Sequence, residues 1–397
     1  MRILIVHNRY KDPGGEDAVV RSERALLENF GEEVFLYERD NAEFDSRSIL
    51  RKVSCLRTFS WSDKTYKEIT DVIREFRPDI AHFHNIFYAI SPSAYQACKD
   101  ENVPVVQSLH NFRLFCANGL FFRDNKVCED CVRKSWREGI VHRCFRKSAF
   151  MTALIIGMIS KHWKEGTWSE LVDRYITASS FGRMKMIEAG IPEGKITVKP
   201  NFVYPDPGFS DEKKEFALYV GRLREEKGVD TLVQSWEKLP DVPLRIIGDG
   251  PMLNRLRALV DKRKISNVEF LGHVSQGQYE VNMRKARFLV VPSICYENFP
   301  RIVAEAFAFG IPVIASRLGS LAEIIEDGKT GLLFTPGDAS DLGKKVRWMM
   351  AHDDGLAQMG KETRQMFEEK YTDRKNYRSL MEIYGKTLGQ PCACSGA

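Results

Sequence analysis

Short apolar runs alternate with amphipathic stretches through the first half of this 397-residue chain. Runs of this kind predict strands, and the stretches between them, with apolar positions three and four residues apart, predict helices. The strands are predicted at residues 2–7, 33–38, 79–85, 103–110, 175–178 and 196–199. Helical patterns cover residues 17–30, 66–76 and 93–100. This alternation indicates a parallel sheet covered by helices on both faces.

The second half repeats the pattern after residues 204–214, a stretch with prolines, glycine and charges but no period, which predicts a linker. Strands are predicted at residues 216–220, 243–247, 268–272, 288–292 and 312–315, each followed by a helical pattern. We therefore expect an α/β protein with two doubly wound, Rossmann-like parallel-sheet domains, at residues 1–203 and 204–371. Ligands of such folds bind at the carboxyl ends of the strands, so the two domains would face a central cleft.

Residues 112–168 interrupt the alternation and predict an insertion in the first domain. The insertion holds four of the nine cysteines: Cys116, Cys128, Cys131 and Cys144. The spacing of Cys128 and Cys131 is typical of metal ligands, and a structural zinc bound by all four thiolates would stabilise a segment with little core of its own. The alternative is four small, buried thiols. Because the chain opens on a strand and shows no signal-peptide pattern, we expect a cytoplasmic location.

The net charge of +5 at pH 7 suits an anionic ligand or membrane surface and is too small to indicate nucleic-acid binding. Residues 143–164 form an apolar segment with basic residues at both ends. This segment would either lie peripherally on the inner face of an anionic membrane or form a buried helix that covers the sheet, which the fold favours. Its apolar part, residues 149–159, is too short to span a bilayer.

The candidate chemistry lies in two motifs of the second domain. Arg222 and Lys227 flank a predicted strand-to-helix junction, where free backbone N–H groups and two cations would hold a phosphate group. Glu297 follows the strand at residues 288–292, and Glu305 lies eight positions later, about two turns into the next predicted helix. A carboxylate on an apolar helix needs a partner, which is either a set of ligand hydroxyls or local backbone.

Two histidines of the first domain, His82 and His84, alternate on one predicted strand and therefore share a face. This pattern indicates either a metal site or a polar strand end that lines the cleft, and we favour the second. No pattern in the sequence indicates a catalytic metal.

These motifs resemble those of the retaining glycosyltransferases of family 4, which have the GT-B fold. The matching segments are Gly14-Gly15, Gly221-Arg222-Leu223 with Glu226-Lys227-Gly228, Gly248-Asp249-Gly250-Pro251, Phe270-Leu271-Gly272-His273 and the two glutamates with seven residues between them. Their order and spacing match over nearly the whole chain. The resemblance implies a GT-B arrangement in which a final helix, residues 372–390, crosses back to the first domain.

The resemblance also implies roles for individual residues. Arg222 and Lys227 would hold the diphosphate of a nucleotide-sugar donor, and His110 would lie near the reacting sugar. Glu297 would contact the transferred sugar, and Glu305 would bind the ribose hydroxyls. The other implied contacts to the donor are Gly14, Gly15, Gly272, His273, Val274, Phe299, Pro300 and Arg301.

Many family members have a glycine and an apolar residue where this chain has Pro300 and Arg301. Proline has no N–H to donate, but it fits the first position of a helix, where that group would be unpaired. Arg301 adds a cation beside the donor. The departure means that the sugar preference of relatives does not transfer to this chain.

The activity implied by the resemblance is retaining transfer of a sugar from a nucleotide-diphosphate sugar to a saccharide or lipid-linked saccharide. The products would be cell-surface polysaccharide or glycolipid. Since Arg222 and Lys227 would replace a divalent ion, we expect no cofactor for catalysis. The alternatives are an epimerase or phosphorylase on the same fold, and a non-catalytic nucleotide-sugar binder. The complete set of motif residues argues against the binder.

Overall fold

The computed structural model describes residues 1–10, 14–44, 59–210 and 215–390. It divides into two compact units. Unit 1 comprises Met1–Phe121, Glu129–Asn201 and the described residues of Arg374–Ala397. Unit 2 comprises Phe122–Cys128 and Phe202–Asp373. Residues 211–214 of the predicted linker lie outside the described residues.

Unit 1 is built on a sheet of six parallel strands in the order β2-β1-β3-β4-β7-β8. Its strands are β1 (Arg2–Arg9), β2 (Glu33–Asp40), β3 (Ile80–Phe83), β4 (Val105–Leu109), β7 (Arg174–Thr177) and β8 (Ile196–Val198). Among the residues that the structure describes before residue 190, the helices are α1 (Gly15–Asn29), α2 (Asp63–Phe76), α3 (Ser93–Asp100), α4 (Asp130–Arg133), α5 (Arg137–Val141), α6 (Ala149–Lys164), α7 (Thr167–Glu170) and α8 (Ser180–Glu188). Short 3-10 turns cover Asn41–Phe44 and Glu193–Lys195.

The chain order of unit 1 reverses between β1 and β3, which are neighbours in the sheet. At such a reversal the loops that leave the two strands separate, and the crevice at their carboxyl ends is where doubly wound folds bind ligands. The residues that follow β1 and β3 therefore occupy the expected ligand position of this unit.

Unit 2 has a second sheet of six parallel strands, in the order β11-β10-β9-β12-β13-β14. The strands are β9 (Phe216–Val220), β10 (Leu244–Ile247), β11 (Val268–Gly272), β12 (Ala286–Val291), β13 (Val313–Ser316) and β14 (Gly331–Phe334). The helices are α9 (Val229–Trp236), α10 (Leu253–Arg263), α11 (Gln276–Lys285), α12 (Arg301–Ala308), α13 (Ser320–Ile324), α14 (Ala339–Ala351) and α15 (Asp353–Lys370), and a 3-10 turn covers Glu225–Lys227. The order reverses between β9 and β12.

A last helix, α16 (Asp373–Thr387), groups with unit 1 from Arg374 onward. Its Leu380, Ile383 and Tyr384 are buried in the same apolar cluster as Ile3 and Ile5 of β1. The α/β class with two doubly wound parallel sheets, predicted from the sequence, is confirmed.

The segment predicted as an insertion has structure of its own. It contains α4, α5, α6 and an antiparallel hairpin of β5 (Phe122–Arg123) and β6 (Lys126–Val127). In α6, Ile155 and Ile156 are buried, as the buried-helix alternative requires, whereas Phe150 at its start is 64% exposed. Among the described residues, no helix is both long and apolar enough to cross a membrane.

Candidate active site

The loops that leave β9 and β12 lie at the point where the strand order of unit 2 reverses, and they carry the residues singled out from the sequence. Arg222 and Lys227 follow β9, and Glu297 follows β12. Although Lys227 and Glu297 are 70 residues apart in the chain, their side chains meet. The sheet topology thus brings together two residues whose partnership the sequence does not state.

Lys227 and Glu297 form an ion pair, with 2.6 Å between Lys227 Nζ and Glu297 Oε1. Ser293 Oγ donates a second hydrogen bond to the same oxygen, also at 2.6 Å. The two charged side chains are only 23% and 13% exposed. Burial disfavours both charges, but the attraction to Glu297 outweighs it and raises the pKa of Lys227. For the same reason, and with the Ser293 bond, the pKa of Glu297 lies below its usual value although burial acts against this.

The backbone places Lys227 and Glu297 beside each other by direct contact of their loops. Gly228, which ends the 3-10 turn at Lys227, has a φ of +67°, and a Cβ there would lie 1.9 Å from the Pro292 carbonyl oxygen. The Ile294 N–H donates to the Glu226 carbonyl at 3.0 Å. Glycine is therefore required at residue 228 both for its left-handed backbone and for the close approach of the β12 loop.

The loop after β10 packs against the Arg222 loop in a similar way. The Leu223 N–H donates to the Asp249 carbonyl at 2.8 Å, and the Gly248 N–H donates to the Gly272 carbonyl at 2.9 Å. The Arg222 carbonyl accepts a hydrogen bond from Tyr219 Oη at 3.0 Å. Arg222 is exposed to solvent. The loops after β9, β10 and β12 thus contact one another through their backbones, and we call the edge that they form, residues 221–228, 248–250 and 292–297, the rim. Arg222 is an exposed cation on this rim.

Glu305 lies nearer the start of its helix than the sequence indicated. Helix α12 begins at Arg301, so Glu305 is its fifth residue, little more than one turn in, and Pro300 is the residue before the helix. Proline still suits this place, because the Pro300 carbonyl accepts from the Val303 N–H at 3.0 Å, and the N–H that proline lacks would have no partner within the helix. The predicted depth of two turns was wrong, since the helix begins only after the loop of residues 292–300.

The partners of the Glu305 carboxylate are side chains. Arg301 Nε lies 2.8 Å from Glu305 Oε1, and Tyr279 Oη of α11 donates a short hydrogen bond to Oε2. Arg301 and Glu305 are 20% and 18% exposed, so this pair faces the surface in part. The cation that the sequence placed beside the donor is therefore engaged with Glu305.

The remaining predicted donor contacts of unit 2 differ in exposure. His273 is exposed after β11, and Val274 beside it is half-buried. Phe299 is buried, and its ring meets Tyr371 edge-on with 5.4 Å between the ring centroids. The side chain of Phe299 is thus part of the packing of unit 2.

In unit 1, the loop after β1 is held by a buried carboxylate. Asp17 accepts a hydrogen bond from the Gly14 N–H at 2.7 Å and lies 3.0 Å from His7 Nε2. A Cβ at Gly15 would meet no described atom within 4 Å, so no protein contact requires glycine there. Backbone N–H groups at the start of a helix are suited to an anion, and the contact of Gly14 and Gly15 with the donor, which the resemblance implies, stays a prediction.

His110 follows β4 and is hydrogen-bonded to His84, with 3.0 Å between His110 Nε2 and His84 Nδ1. The imidazole rings stack with an interplanar angle of 13°. Burial lowers the pKa of His110, and lowers that of His84 further, so both rings are neutral near pH 7. Neutral imidazole offers one donor and one acceptor, which suits contact with a sugar hydroxyl.

The chain matches two family descriptions that together cover both units. Residues 14–206 match "Glycosyltransferase Family 4", and residues 204–366 match "Glycosyl transferases group 1". The chain is a member of these glycosyltransferase families. The resemblance expected from the motifs is confirmed.

The curated relatives of this chain match it over only part of their own length. A glycosyltransferase of Methanocaldococcus jannaschii is 32% identical over 44% of this chain and 49% of its own. The glycogen synthase of Mycobacterium tuberculosis is 31% identical over 69% of this chain and 60% of its own. The chain thus spans about half to three-fifths of these relatives.

Solved structures of other proteins share the fold of this chain. The Anabaena protein HepE in complex with UDP-glucose superimposes with a TM-score of 0.68 over 97% of this chain and 100% of that chain, at 15% identity. At this identity the likeness shows the fold, which is GT-B as expected.

The four cysteines predicted to bind zinc, all of them described residues, do not form a cluster of ligand atoms. Among the described residues, one group of three or more His, Cys, Asp or Glu has all its ligand atoms within 4.8 Å of one another, and it is Glu23, His82 and His84. Cys116 is buried, and its Sγ–H donates a hydrogen bond to Asn118 Oδ1 at 3.0 Å. Zinc binding at the cysteines stays a prediction.

Sequence reasoning missed four residues that contact the predicted site residues or their neighbours: Ser293, Tyr279, Glu23 and Lys199. One of them had a signal. Glu23 lies four residues after Val19 and four before Leu27, on the apolar side of α1, where a carboxylate requires a buried partner. Ser293 and Tyr279 carried no comparable signal.

Proposed function

We propose that this protein is a retaining glycosyltransferase that moves a sugar from a nucleotide-diphosphate sugar to a saccharide or lipid-linked saccharide acceptor. The observation that carries the proposal is the Lys227–Glu297 pair at the chain reversal of unit 2, with the exposed Arg222 on the same rim. A cationic rim at this position of a doubly wound sheet suits a diphosphate. A UDP-glucose complex of HepE and a glycogen synthase among the relatives support a sugar nucleotide as donor.

The two cations divide the work. Lys227 is partly neutralised by Glu297, so the net positive charge of the group comes from Arg222. As the bond between sugar and diphosphate breaks, negative charge grows on the leaving oxygen, and preorganised cations stabilise that charge more than they stabilise the ground state. Lys227 and Ser293 both bind Glu297 Oε1, which leaves Oε2, as far as the described residues show, for a sugar hydroxyl.

Retention of configuration would follow from attack on the face that the diphosphate leaves. In this scheme the acceptor hydroxyl approaches beside the departing diphosphate and gives its proton to a leaving oxygen. No covalent sugar–enzyme intermediate is required, in contrast to retaining glycosidases with two carboxylates about 5 Å apart. The protein then binds, orients and excludes water, which would otherwise hydrolyse the donor.

The test is a panel of nucleotide sugars, assayed for nucleotide diphosphate release with and without a mixture of saccharide and lipid-linked acceptors. We expect release from one donor to rise when the acceptor is added, and the product to keep the anomeric configuration of the donor by NMR. Conversion of the donor without acceptor indicates an epimerase, and binding without release indicates a non-catalytic binder. An inverted product would refute retention.

Turnover should not need a divalent metal ion, because Arg222 and Lys227 supply positive charge at the diphosphate. We expect the same rate before and after treatment with EDTA. Loss of turnover that magnesium or manganese restores would contradict the proposal. A zinc bound tightly by the cysteines would survive this treatment and would appear as about one equivalent by elemental analysis.

We further propose a cytoplasmic, peripheral membrane position that uses the start of α6. Val141 and Phe150 are 71% and 64% exposed, and Arg143, Arg146 and Lys147 between them are exposed too. Ile155 and Ile156, which face the core, do not contribute. Two exposed apolar side chains with three cations are suited to reversible contact with anionic lipid.

Vesicle co-sedimentation tests this surface. Replacing Arg143, Arg146 and Lys147 by glutamine should weaken binding to anionic vesicles about 100-fold, because each basic residue contributes about 1 kcal/mol. A matched variant with Lys161 and Lys164 replaced, at the other end of α6, should bind as the wild type does. Binding that is equal on neutral and anionic vesicles, or that resists high salt, would exclude the surface.

A further inference from the structure

A chain of buried polar groups runs through unit 1 and ends at His110. Lys199 Nζ donates to Glu23 Oε1 at 2.5 Å, and Glu23 Oε2 lies 3.3 Å from His84 Nε2. His84 Nδ1 in turn lies 3.0 Å from His110 Nε2. Lys199, Glu23 and His84 are each less than 5% exposed. Charged groups so deeply buried are costly, so their arrangement calls for an explanation beyond stability.

The charge of Glu23, paired with Lys199, determines which atom donates and which accepts at each later contact. Lys199 keeps Glu23 ionised, since its attraction outweighs the burial that would otherwise raise the pKa of the carboxyl. Glu23 Oε2 and His84 Nε2 are in close contact, and in the part of the chain that the structure describes neither atom has a hydrogen-bond partner. A proton on His84 Nε2 would face the carboxylate favourably, whereas a lone pair there would face the lone pairs of Oε2 at 3.3 Å.

A neutral His84 with its proton on Nε2 has an unprotonated Nδ1. Because His84 Nδ1 and His110 Nε2 are 3.0 Å apart, one of them must donate, and only His110 Nε2 remains to do so. A neutral His110 that carries its proton on Nε2 has none on Nδ1. The state of His110 therefore follows, step by step, from the charge of Glu23.

We propose that Lys199, Glu23 and His84 are positioning residues that fix His110 as the Nε2-protonated tautomer, so that its Nδ1 accepts a hydrogen bond from a hydroxyl of the bound sugar. This inference rests on the proposed function only for the identity of the ligand. The tautomer itself is a property of the unliganded protein. His82 is held separately, by Tyr384 Oη and Ser108 Oγ at 2.8 Å each, and so does not compete for Glu23.

A metal ion held by Glu23, His82 and His84 is the rival explanation for the unpaired atoms, since their ligand atoms lie within 4.8 Å of one another. The Lys199 ammonium group already provides a cation 2.5 Å from Glu23, which disfavours a second one. A metal ion on His84 Nε2 would leave the proton of the neutral ring on Nδ1, which would then donate to His110 Nε2, the reverse of the order argued above.

The decisive measurement is ¹⁵N NMR of histidine-labelled protein, in which protonated and unprotonated ring nitrogens of neutral imidazole are well separated. The His110 signals are assigned by their loss in His110→Asn. We expect His110 Nε2 and His84 Nε2 protonated and both Nδ1 atoms unprotonated. A protonated His110 Nδ1, or stoichiometric metal with an unprotonated His84 Nε2, would overturn the proposal.

Glu23→Gln should exchange donor and acceptor at each contact from residue 23 to His110. Lys199 would still donate to the amide oxygen, which turns the amide NH₂ toward His84 Nε2 and forces that atom to accept. His84 Nδ1 would then donate to His110 Nε2, and the His110 proton would move to Nδ1. Glu28→Gln, on the exposed side of the same helix where Glu28 pairs with Arg24, should leave both tautomers unchanged. We call the hydrogen-bonded set of Lys199, Glu23, His84 and His110 the relay. If His110 keeps its proton on Nε2 in a folded Glu23→Gln variant, the relay is contradicted. If that variant does not fold, the wild-type spectrum alone tests the proposal.

Activity provides a separate readout. Loss of one acceptor for a sugar hydroxyl should lower kcat/KM of Glu23→Gln about tenfold, with Glu28→Gln at the wild-type value. A wild-type protein with the expected tautomers but no transfer on any donor would refute the proposed function and leave the relay standing. The reverse result, transfer with the opposite tautomer, would refute the relay alone.

Discussion

Arg222→Ala and Lys227→Ala should each lower the rate of sugar transfer by about 100-fold or more, the usual cost of removing a group that stabilises charge in the transition state. The two losses should differ in kind. Arg222 is exposed, so its removal leaves the rim of unit 2 in place and subtracts one cation. Removing Lys227 also leaves Glu297 half-buried without its counter-charge, which adds repulsion toward the diphosphate.

The measurement is steady-state nucleotide diphosphate release, with folding checked by circular dichroism. Arg222→Lys should recover part of the activity, because it restores charge without the planar fork of arginine. Arg257→Ala, which removes an exposed arginine from α10 of the same unit, should release nucleotide diphosphate at the wild-type rate. If either variant has the wild-type rate, the residue that it replaces does not stabilise the transition state.

The double variant Lys227→Ala with Glu297→Ala separates the two effects of Lys227. If the ion pair only holds the loops together, either single change breaks it, and the double variant should be about as slow as Lys227→Ala alone. If the unpaired carboxylate repels the diphosphate, removing it as well should recover part of the Lys227→Ala loss. Non-additivity of this kind is expected for residues in contact.

The architecture of both units was predictable because buried parallel strands are continuous apolar runs in the sequence. Strand β12 (Ala286–Val291) is such a run, whereas β14 (Gly331–Phe334) was missed because it is four residues long and opens on glycine. The start of α12 was misjudged because proline at residue 300 suits both the first turn and the residue before it.

The candidate site was predictable in its members but not in its pairings. Arg222, Lys227 and Glu297 were identified by residue type and position after a strand, which is local information. That Glu297 is held by Lys227 and Ser293 depends on the adjacency of β9 and β12 in the sheet, which the sequence does not state. The relay of unit 1 was missed for the same reason, since Glu23 and Lys199 are 176 residues apart.

Gly228→Ala should strongly destabilise unit 2. The new Cβ would lie 1.9 Å from the Pro292 carbonyl oxygen, and alanine would have to adopt a φ of +67°. A left-handed non-glycine residue costs about 1–2 kcal/mol, and the clash with backbone adds to this, so we expect a loss of about 3 kcal/mol or more. In a unit of this size that corresponds to a fall in Tm of about 6–12 °C.

Gly343→Ala is the matched control for this change. Gly343 lies inside helix α14 of the same unit, and a Cβ there would meet no described atom within 4 Å. Alanine favours the helix over glycine by about 1 kcal/mol, so the Tm should stay level or rise. Differential scanning fluorimetry compares the two variants directly.

The Gly228→Ala result also decides how the rim works. If the contact between Gly228 and Pro292 positions Lys227 against Glu297, the alanine variant should lose transfer activity even at temperatures where it remains folded, because the two loops must separate to admit the methyl group. Arg222, on the far side of the 3-10 turn, would keep its exposure, so donor binding should weaken less than kcat falls. If the Tm of Gly228→Ala lies within about 2 °C of the wild-type value, the β12 loop moves away from the new methyl group at little cost in free energy. The contact between Gly228 and Pro292 would then not be what holds Lys227 against Glu297.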